Sequence, residues 1–298
     1  MSSKHKEFFV LAHDAGGAEI LAAYIRRRHK DLYHIYAGGP AEKVFKREDL
    51  SYRALPKRSN LKKILGKHKG ATALLGTSWA HSIEFAALKE AKRQGMRTIA
   101  YLDSWLNYRE RFGYPAREWR KNLPDQIWVG DRMGLALARK HFPRSRIHFV
   151  ENLYFAKIIT RFKRQTRAVS RRDVLYVSAA GRVSERTLAD FLEAMARAGI
   201  SRTFLVRLHP LDARDRYERI VRREARGLRV ELSREKDIVQ DLIRARVVIG
   251  PETVALVPAV MLGIKAIRIV PKGEKPFLPF PSITRARSAK AAARLVQS

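Results

Sequence analysis

The 298-residue sequence contains no cysteine, which excludes disulfides, thiolate metal ligands and cysteine nucleophiles. Acid is scarce: 29 Asp and Glu stand against 61 Lys and Arg, a formal net charge of +32. Such a surface seeks anions, and nucleic acid, anionic lipid headgroups and phosphorylated substrates all satisfy it; charge alone does not rank them. Long apolar runs are missing too. The run from Phe8 to Ala12 stops at His13-Asp14, so no secretory apolar core follows the start, and no uninterrupted stretch approaches the roughly 18 residues a membrane span needs. The expectation is a cytoplasmic protein, with a peripheral seat on the inner face of the membrane open to it. Zinc-finger spacing, RNA-recognition aromatic motifs and paired carboxylate or histidine spacings are absent, so no metal, no cofactor and no specific nucleic acid is expected.

What is present is enough for one large or two medium α/β domains, since 46% of the residues are hydrophobic and a chain of this length buries a core in each. Short β-branched runs alternate with amphipathic segments. Phe8–Ala12 reads as a buried strand, His13-Asp14-Ala15-Gly16-Gly17 as a glycine turn, and Ala18–Ile25 as a helix running into basic Arg26–Lys30. Strands at Leu32–Ala37, Ala71–Gly76, Arg97–Leu102, Gln126–Gly130 and Ile147–Val150 follow, with helices over 82–94 and 132–141. Residues 156–172 break the rhythm with Lys157, Arg161, Lys163, Arg164, Arg167, Arg171 and Arg172 and no carboxylate, which reads as a basic interdomain connection. A second series starts at Asp173–Ser178, passes the loop Ala179-Ala180-Gly181-Arg182, a helix capped by Ser184, strand Thr203–Leu208 and helix Leu211–Arg226, and ends in a helix over 288–296. This alternation predicts an α/β fold of two tandem Rossmann-like domains, each on a parallel sheet with right-handed crossovers, facing a cleft. The boundaries are 1–155 for the first domain, 156–172 for the connection and 173–298 for the second.

The stretch with the strongest pattern is Val247-Val248-Ile249-Gly250-Pro251-Glu252-Thr253, a small-residue segment to Gly263, and Ile264–Ile269. It reads as strand, tight turn, helix opened by Glu252 and Thr253, and strand. A carboxylate and a hydroxyl thereby stand at the carboxyl end of a parallel strand, where open α/β sheets bind ligands.

The arrangement resembles the GT-B glycosyltransferases. Ile249-Gly250-Pro251-Glu252-Thr253 looks like that family's donor-binding element, which implies that Glu252 takes ribose hydroxyls. Arg207-Leu208-His209-Pro210 resembles the His-Pro element of the bacterial sialyltransferase and capsule or teichoic-acid polymerase branches, which implies contact with the nucleotide phosphate. Ser178-Ala179-Ala180-Gly181-Arg182 matches the first loop of the donor domain, and His13–Gly17 matches in place the loop that approaches acceptor and donor. By this resemblance residues 1–155 form the acceptor side and 173–298 the donor-binding side.

Each candidate residue carries two readings. Glu252 suits a ribose diol or the free N–H groups of a helix start. His209, with Arg207 or Arg182 beside it, suits a phosphate oxygen or an ordinary turn. Inverting transfer needs a base within hydrogen-bond reach of the acceptor hydroxyl, and Asp14 is the first candidate, followed by His13 and Asp103. Their structural readings are a helix cap for Asp14, an orienting partner for His13, and an ion pair with Arg109 or Arg111 for Asp103. Gly16 and Gly17 let a ligand or a helix approach the backbone. Thr77 and Ser78 end a strand on the same rim. Trp105, Asn107, Arg109 and Arg111 mix aromatic, amide and guanidinium groups in one loop, suited to sugar stacking with carboxylate or phosphate recognition, or to anchoring the loop.

These readings combine into a nucleotide-sugar-dependent glycosyltransferase, its donor CMP-linked (an acidic sugar) or UDP-linked, its acceptor a cell-surface glycan, a glycolipid or other lipid-linked glycan, or a protein. The basic runs Arg26–Lys30, Lys57–Lys69 and 157–172 would suit an anionic membrane surface. Two alternatives stay open: a sugar-nucleotide epimerase or hydrolase of the same fold, and a non-catalytic protein binding polyanions such as nucleic acid or membrane.

Overall fold

The computed structural model describes residues 5–78, 83–165, 171–200, 202–235 and 237–297. It divides into two compact units, Met1–Ala156 and Lys157–Ser298, and each is an open parallel sheet covered by helices on both faces.

In unit 1 the strands are β1 (Glu7–Ala12), β2 (Leu32–Ala37), β3 (Arg53–Ala54), β4 (Thr72–Leu75), β5 (Thr98–Leu102), β6 (Gln126–Val129) and β7 (Ile147–Phe149). They lie in the order β3-β2-β1-β4-β5-β6-β7, all parallel. The helices are α1 (Ala15–Arg27), α2 (Pro40–Arg47), α3 (Leu61–Gly66), α4 (Ile83–Arg93), α5 (Arg132–His141) and α6 (Leu153–Gln165). Strand β1 is apolar on both sides because both of its faces are covered. Phe9 and Leu11 enter one core with residues of α3 and α4, and Phe8, Val10 and Ala12 enter a second with α1 and α2. That period-2 split is what a central parallel strand requires.

Unit 2 repeats the scheme. Its strands β8 (Asp173–Val177), β9 (Thr203–Arg207), β10 (Arg229–Leu232), β11 (Ala245–Gly250), β12 (Lys265–Ile269) and β13 (Thr284–Ala286) order as β10-β9-β8-β11-β12-β13. Helices α7 (Arg182–Arg197), α8 (Arg214–Glu224), α9 (Ile238–Arg244), α10 (Val257–Met261) and α11 (Ala289–Gln297) complete it. In both sheets the strand order reverses beside the first strand, between β1 and β4 and between β8 and β11. Helices on opposite faces diverge at such a point and leave a crevice at the strands' carboxyl ends.

Several expectations shift locally. Gly16 and Gly17, read as part of a turn, are the second and third residues of α1. Ser184 does not open α7; Gly181 does, and the Ser184 hydroxyl accepts from the Ala179 N–H at 3.0 Å. The helix expected from Leu211 begins only at Arg214, because the Leu211 and Asp212 N–H groups turn back onto His209 Nδ1 and O. Glu252 and Thr253 open a single 3-10 turn, Val254–Leu256, before the five-residue α10. The basic stretch 156–172 is helical through Gln165 as part of α6, and the units divide within that helix. Arg167 in that stretch and Ser82 at the start of the expected helix over 82–94 lie outside the described residues. Among the described residues no helix is long and apolar enough to cross a membrane.

Candidate functional site

At the carboxyl end of β1, Asp14 occupies the N-cap position of α1 in extended backbone, yet its carboxylate makes no capping hydrogen bond. It faces His13 instead, with Oδ1 3.1 Å from Nδ1. The His13 N–H donates to Glu84 Oε1 of α4 at 2.8 Å. A half-exposed carboxylate, an imidazole and a buried carboxyl group thus meet at the β1–β4 switch point.

One strand further along, Asp103 follows β5. Its Oδ2 lies so close to α1 that a Cβ on Gly16 would stand 2.3 Å from it, so a side chain at position 16 would require the carboxylate to shift. Gly17 packs on the Gly76 Cα across the same seam. The other Asp103 oxygen accepts from Arg111 Nη1 at 2.6 Å. Arg111 is buried, and it also donates to Thr77 O at 2.9 Å, Thr77 Oγ1 at 2.7 Å, Ser104 Oγ at 2.6 Å and Leu106 O at 3.2 Å. Thr77 in turn donates to the Tyr101 carbonyl at 2.8 Å. Asp103, Arg111, Thr77 and Gly16 therefore form one charge-assisted cluster, and Ser78 beside it is buried.

The rest of the loop is pinned rather than displayed. Trp105 is buried and its indole N–H donates to Asp131, the N-cap of α5, at 3.1 Å. Asn107 takes a left-handed turn conformation, φ 55°. The Arg109 guanidinium lies 5.9 Å from the centroid of the Tyr114 ring.

In unit 2 the rim is built at β8, β9 and β11. The Ser178 hydroxyl, after β8, donates to Asp212 Oδ2 at 2.6 Å and accepts from the His209 N–H at 2.6 Å. Gly181 has φ 99° and nothing within 4 Å of a notional Cβ, so the 179–182 loop is open backbone at the start of the 16-residue α7, with Arg182 exposed beside it. Free N–H groups in that setting favour an anion. Arg207 points elsewhere: it pairs with Asp241 of α9 at 2.7 Å and donates to Glu235 O at 3.2 Å. Glu252 is held at both oxygens, Oε1 by Arg268 of β12 at 3.1 Å and Oε2 by the Leu278 N–H at 3.1 Å. Arg268 also donates to the Leu278 carbonyl at 2.9 Å. Thr253 caps the following turn, accepting from Ala255 N–H at 3.5 Å.

No family model and no curated protein matches the chain. Solved structures do. A glycosyltransferase from Rickettsia africae ESF-5 aligns over 99% of this chain and 88% of its own at 12% identity and TM-score 0.63. UDP-GlcNAc 2-epimerase from Neisseria meningitidis, bound to UDP-GlcNAc, aligns over 98% and 90% at 12% identity and TM-score 0.66. Phytolacca americana UGT2, complexed with UDP-2fluoro-glucose and pterostilbene, aligns over 98% and 89% at 11% identity and TM-score 0.61. The chain has the GT-B-like α/β fold. At these identities the likeness is one of fold, and function has to be argued from the two rims.

The GT-B-like rims contain partners that sequence reasoning did not single out: Glu84, Asp131, Asp212 and Arg268. Glu84 carried a signal. It shares the helix face of Ala87, Leu88 and Ala91, all buried, and an acid in an apolar stripe is the informative kind of exception. Burial pushes its carboxyl up to about 7; the His13 N–H bond opposes the rise and the Asp14 carboxylate adds to it. Its Oε2 is buried with no hydrogen-bond partner. The native state therefore keeps a proton that the unfolded chain releases near pH 4.5, so stability falls as pH rises from about 4.5 to 7 and levels off above. At about 1.4 kcal/mol per pH unit between the two values, ionising Glu84 costs the native protein about 3 kcal/mol at pH 8. Glu84→Gln is expected to flatten this slope and to raise the Tm at pH 8 but not at pH 4. An unchanged slope between pH 5 and 7.5 would refute the assignment.

Proposed function

We propose that the protein is a glycosyltransferase that takes its sugar from a nucleotide-activated donor held on unit 2, with Asp14 of unit 1 as the base that deprotonates the acceptor hydroxyl. One observation carries the reading. At the β8–β11 switch point an open glycine loop at the start of a long helix, the Ser178–His209–Asp212 cluster and the Glu252 carboxylate share one sheet edge. That edge offers N–H groups and Arg182 to phosphate and an acidic residue to a ribose. The GT-B-like fold supports it, since the structural neighbours include glycosyltransferases.

The donor nucleotide is uridine or cytidine diphosphate or monophosphate chemistry. Neighbours solved with UDP and UDP-GlcNAc favour a UDP-sugar, and the His209-Pro210 element favours a CMP-linked acidic sugar. The acceptor is a glycan, lipid-linked or protein hydroxyl, with the basic surface suited to an anionic membrane. A panel of CMP, CDP, UMP, UDP, GDP and ADP, read by thermal shift and calorimetry, tests the reading. A nucleotide at a hundred times its Kd stabilises the native state by about 2.7 kcal/mol. If none stabilises it at low or moderate salt, the proposal falls.

Glu252 has a sharper test. Each carboxylate oxygen accepts two hydrogen bonds, so engagement with Arg268 and Leu278 leaves lone pairs for a ribose diol. Glu252→Gln is expected to weaken binding of the preferred ribonucleotide about tenfold, or about 1.4 kcal/mol, and to leave its 2′,3′-dideoxy analogue unaffected. Equal losses for both would assign Glu252 a purely architectural part.

The second reading is a sugar-nucleotide epimerase. It is favoured by two neighbours with TM-scores of 0.66 and 0.68, UDP-GlcNAc 2-epimerase from Neisseria meningitidis and a protein from Listeria monocytogenes described as a UDP-N-acetylglucosamine 2-epimerase. Conversion of donor with no acceptor present would select it.

A further inference from the structure

At the end of the unit 1 sheet opposite its rim, Glu7, His34 and His68 come together. Glu7 opens β1, His34 is the third residue of β2, and His68 lies in the turn after α3. The register explains the meeting. Phe9 pairs with His34 and Leu11 with Tyr36, so the odd residues of β1 and the even residues of β2 point to one face of the sheet. The turn after α3 covers that face at its edge. Glu7 Oε1 lies 2.8 Å from His34 Nε2, and the His34 and His68 rings are 4.1 Å apart between centroids. One ligand atom from each residue falls within 4.8 Å of the others.

We propose that these three side chains form a binding site for a divalent transition-metal ion of the zinc type. Two imidazoles and one carboxylate are a donor set that suits zinc, nickel, copper or cobalt and discriminates against magnesium and calcium, which prefer oxygen alone. Tetrahedral coordination at about 2.0–2.1 Å places ligand atoms about 3.3 Å from one another, so atoms that now lie within 4.8 Å need to close by no more than about 1.5 Å. A second layer is already in place. Arg53 Nη1 donates to the Tyr36 hydroxyl at 3.2 Å, and that hydroxyl lies 3.3 Å from His68 Nε2. Such outer partners fix ring orientation in metal-binding histidines. Beneath them Phe9 lies 5.7 Å from the His68 ring and 5.0 Å from the Tyr36 ring, between centroids, so one side of the site is closed by apolar rings while Glu7 remains open to solvent.

The ion's part is architectural. Glu7 and Ala12 end the same strand five residues apart, about 16 Å at 3.3 Å per residue, which keeps the site away from Asp14 and from the chemistry at the rim. Bound there, the metal ties β1, β2 and the α3–β4 connection together. Spacing along the chain concealed it, because Glu7 and His34 are 27 residues apart.

The test uses the full chain stripped with a chelator and titrated with zinc chloride alone, read by calorimetry and by thermal shift. The expected result is one high-affinity ion per chain, a rise in Tm with zinc and none with magnesium. His34→Gln is expected to weaken zinc binding about a hundredfold or more, and Tyr36→Phe about tenfold. Absence of saturable zinc binding to the native chain, or equal binding by wild type, His34→Gln and Glu7→Gln, would overturn the proposal. Should a histidine variant fail to fold, the visible spectrum of the cobalt-loaded native chain decides: strong absorption of a four-coordinate ion supports the site, and the weak spectrum of a six-coordinate hydrated ion overturns it.

Discussion

Replacing Arg111 with methionine is expected to cost unit 1 about 3–5 kcal/mol of stability. The guanidinium is 3% exposed at its side chain and the Asp103 carboxylate 14%, so little solvent is at hand to replace what is lost. Methionine fills most of the volume and leaves Asp103, Thr77, Ser104 and Leu106 without their donor. An uncompensated carboxylate in such surroundings is the main part of the penalty; the hydrogen bonds to neutral acceptors add to it. All four tryptophans, Trp79, Trp105, Trp119 and Trp128, precede Ala156 in the chain. Urea unfolding followed by tryptophan fluorescence therefore reports unit 1 without interference from unit 2. The double variant Asp103→Leu with Arg111→Met is expected to regain more than half of the loss, because an apolar pair of similar volume leaves no charge behind. If Arg111→Met unfolds within about 1 kcal/mol of wild type, the cluster is a surface arrangement and Arg111 is free to serve an acceptor.

Asp14→Asn is expected to reduce transfer about 10²- to 10⁴-fold while changing stability by less than about 1 kcal/mol. The kinetic figure is what a positioned general base contributes. The small stability change follows from the absence of a capping bond: α1 does not rely on this side chain, and asparagine is as good an N-cap residue as aspartate. Donor affinity should hold, so the loss is expected in kcat with KM for the donor little changed. Full transfer by the variant would remove Asp14 from the chemistry. A variant that binds donor and hydrolyses it slowly but cannot glycosylate would place Asp14 on the acceptor hydroxyl.

The fold was legible where burial on both faces leaves an unbroken apolar run. Strands β1, β4, β5, β8 and β11 announce themselves in this way, and the glycines and polar residues that follow them mark their carboxyl ends. Short elements did not. Helix α2 buries only Ala41, Val44 and Phe45 among charged neighbours, and β13 has three residues, so neither carries enough periodicity to stand out. The rims were legible in part. Asp14, Asp103, Ser178 and Glu252 were visible as polar residues at strand ends, and so were the chain-near partners His13 and Arg111, whereas Glu84 on the His13 N–H, Asp212 on Ser178 and Arg268 on Glu252 arrive from other elements. Arg268 had a readable sign: an arginine between Ile267 and Ile269 in a buried strand must meet an acceptor, and the acceptor is Glu252. The Asp103–Arg111 ion pair was legible as the structural reading of Asp103, and the tertiary structure adds that the guanidinium is buried against Thr77, Ser104 and Leu106 as well.

The strand order of the two sheets also sets how this chain must assemble. In each unit the strand made first ends in the middle: β1 between β2 and β4, β8 between β9 and β11. A chain emerging from the ribosome exposes Phe8–Ala12 with one edge unpaired until Thr72–Leu75 follows, and β8 waits in the same way for β11. Non-local parallel pairing of this kind is slow and leaves an apolar, unpaired edge open to other chains in the meantime. The high positive charge carried throughout the sequence keeps such half-made units apart by mutual repulsion, so the same lysines and arginines that attract anions to the finished protein also guard its unfinished sheets.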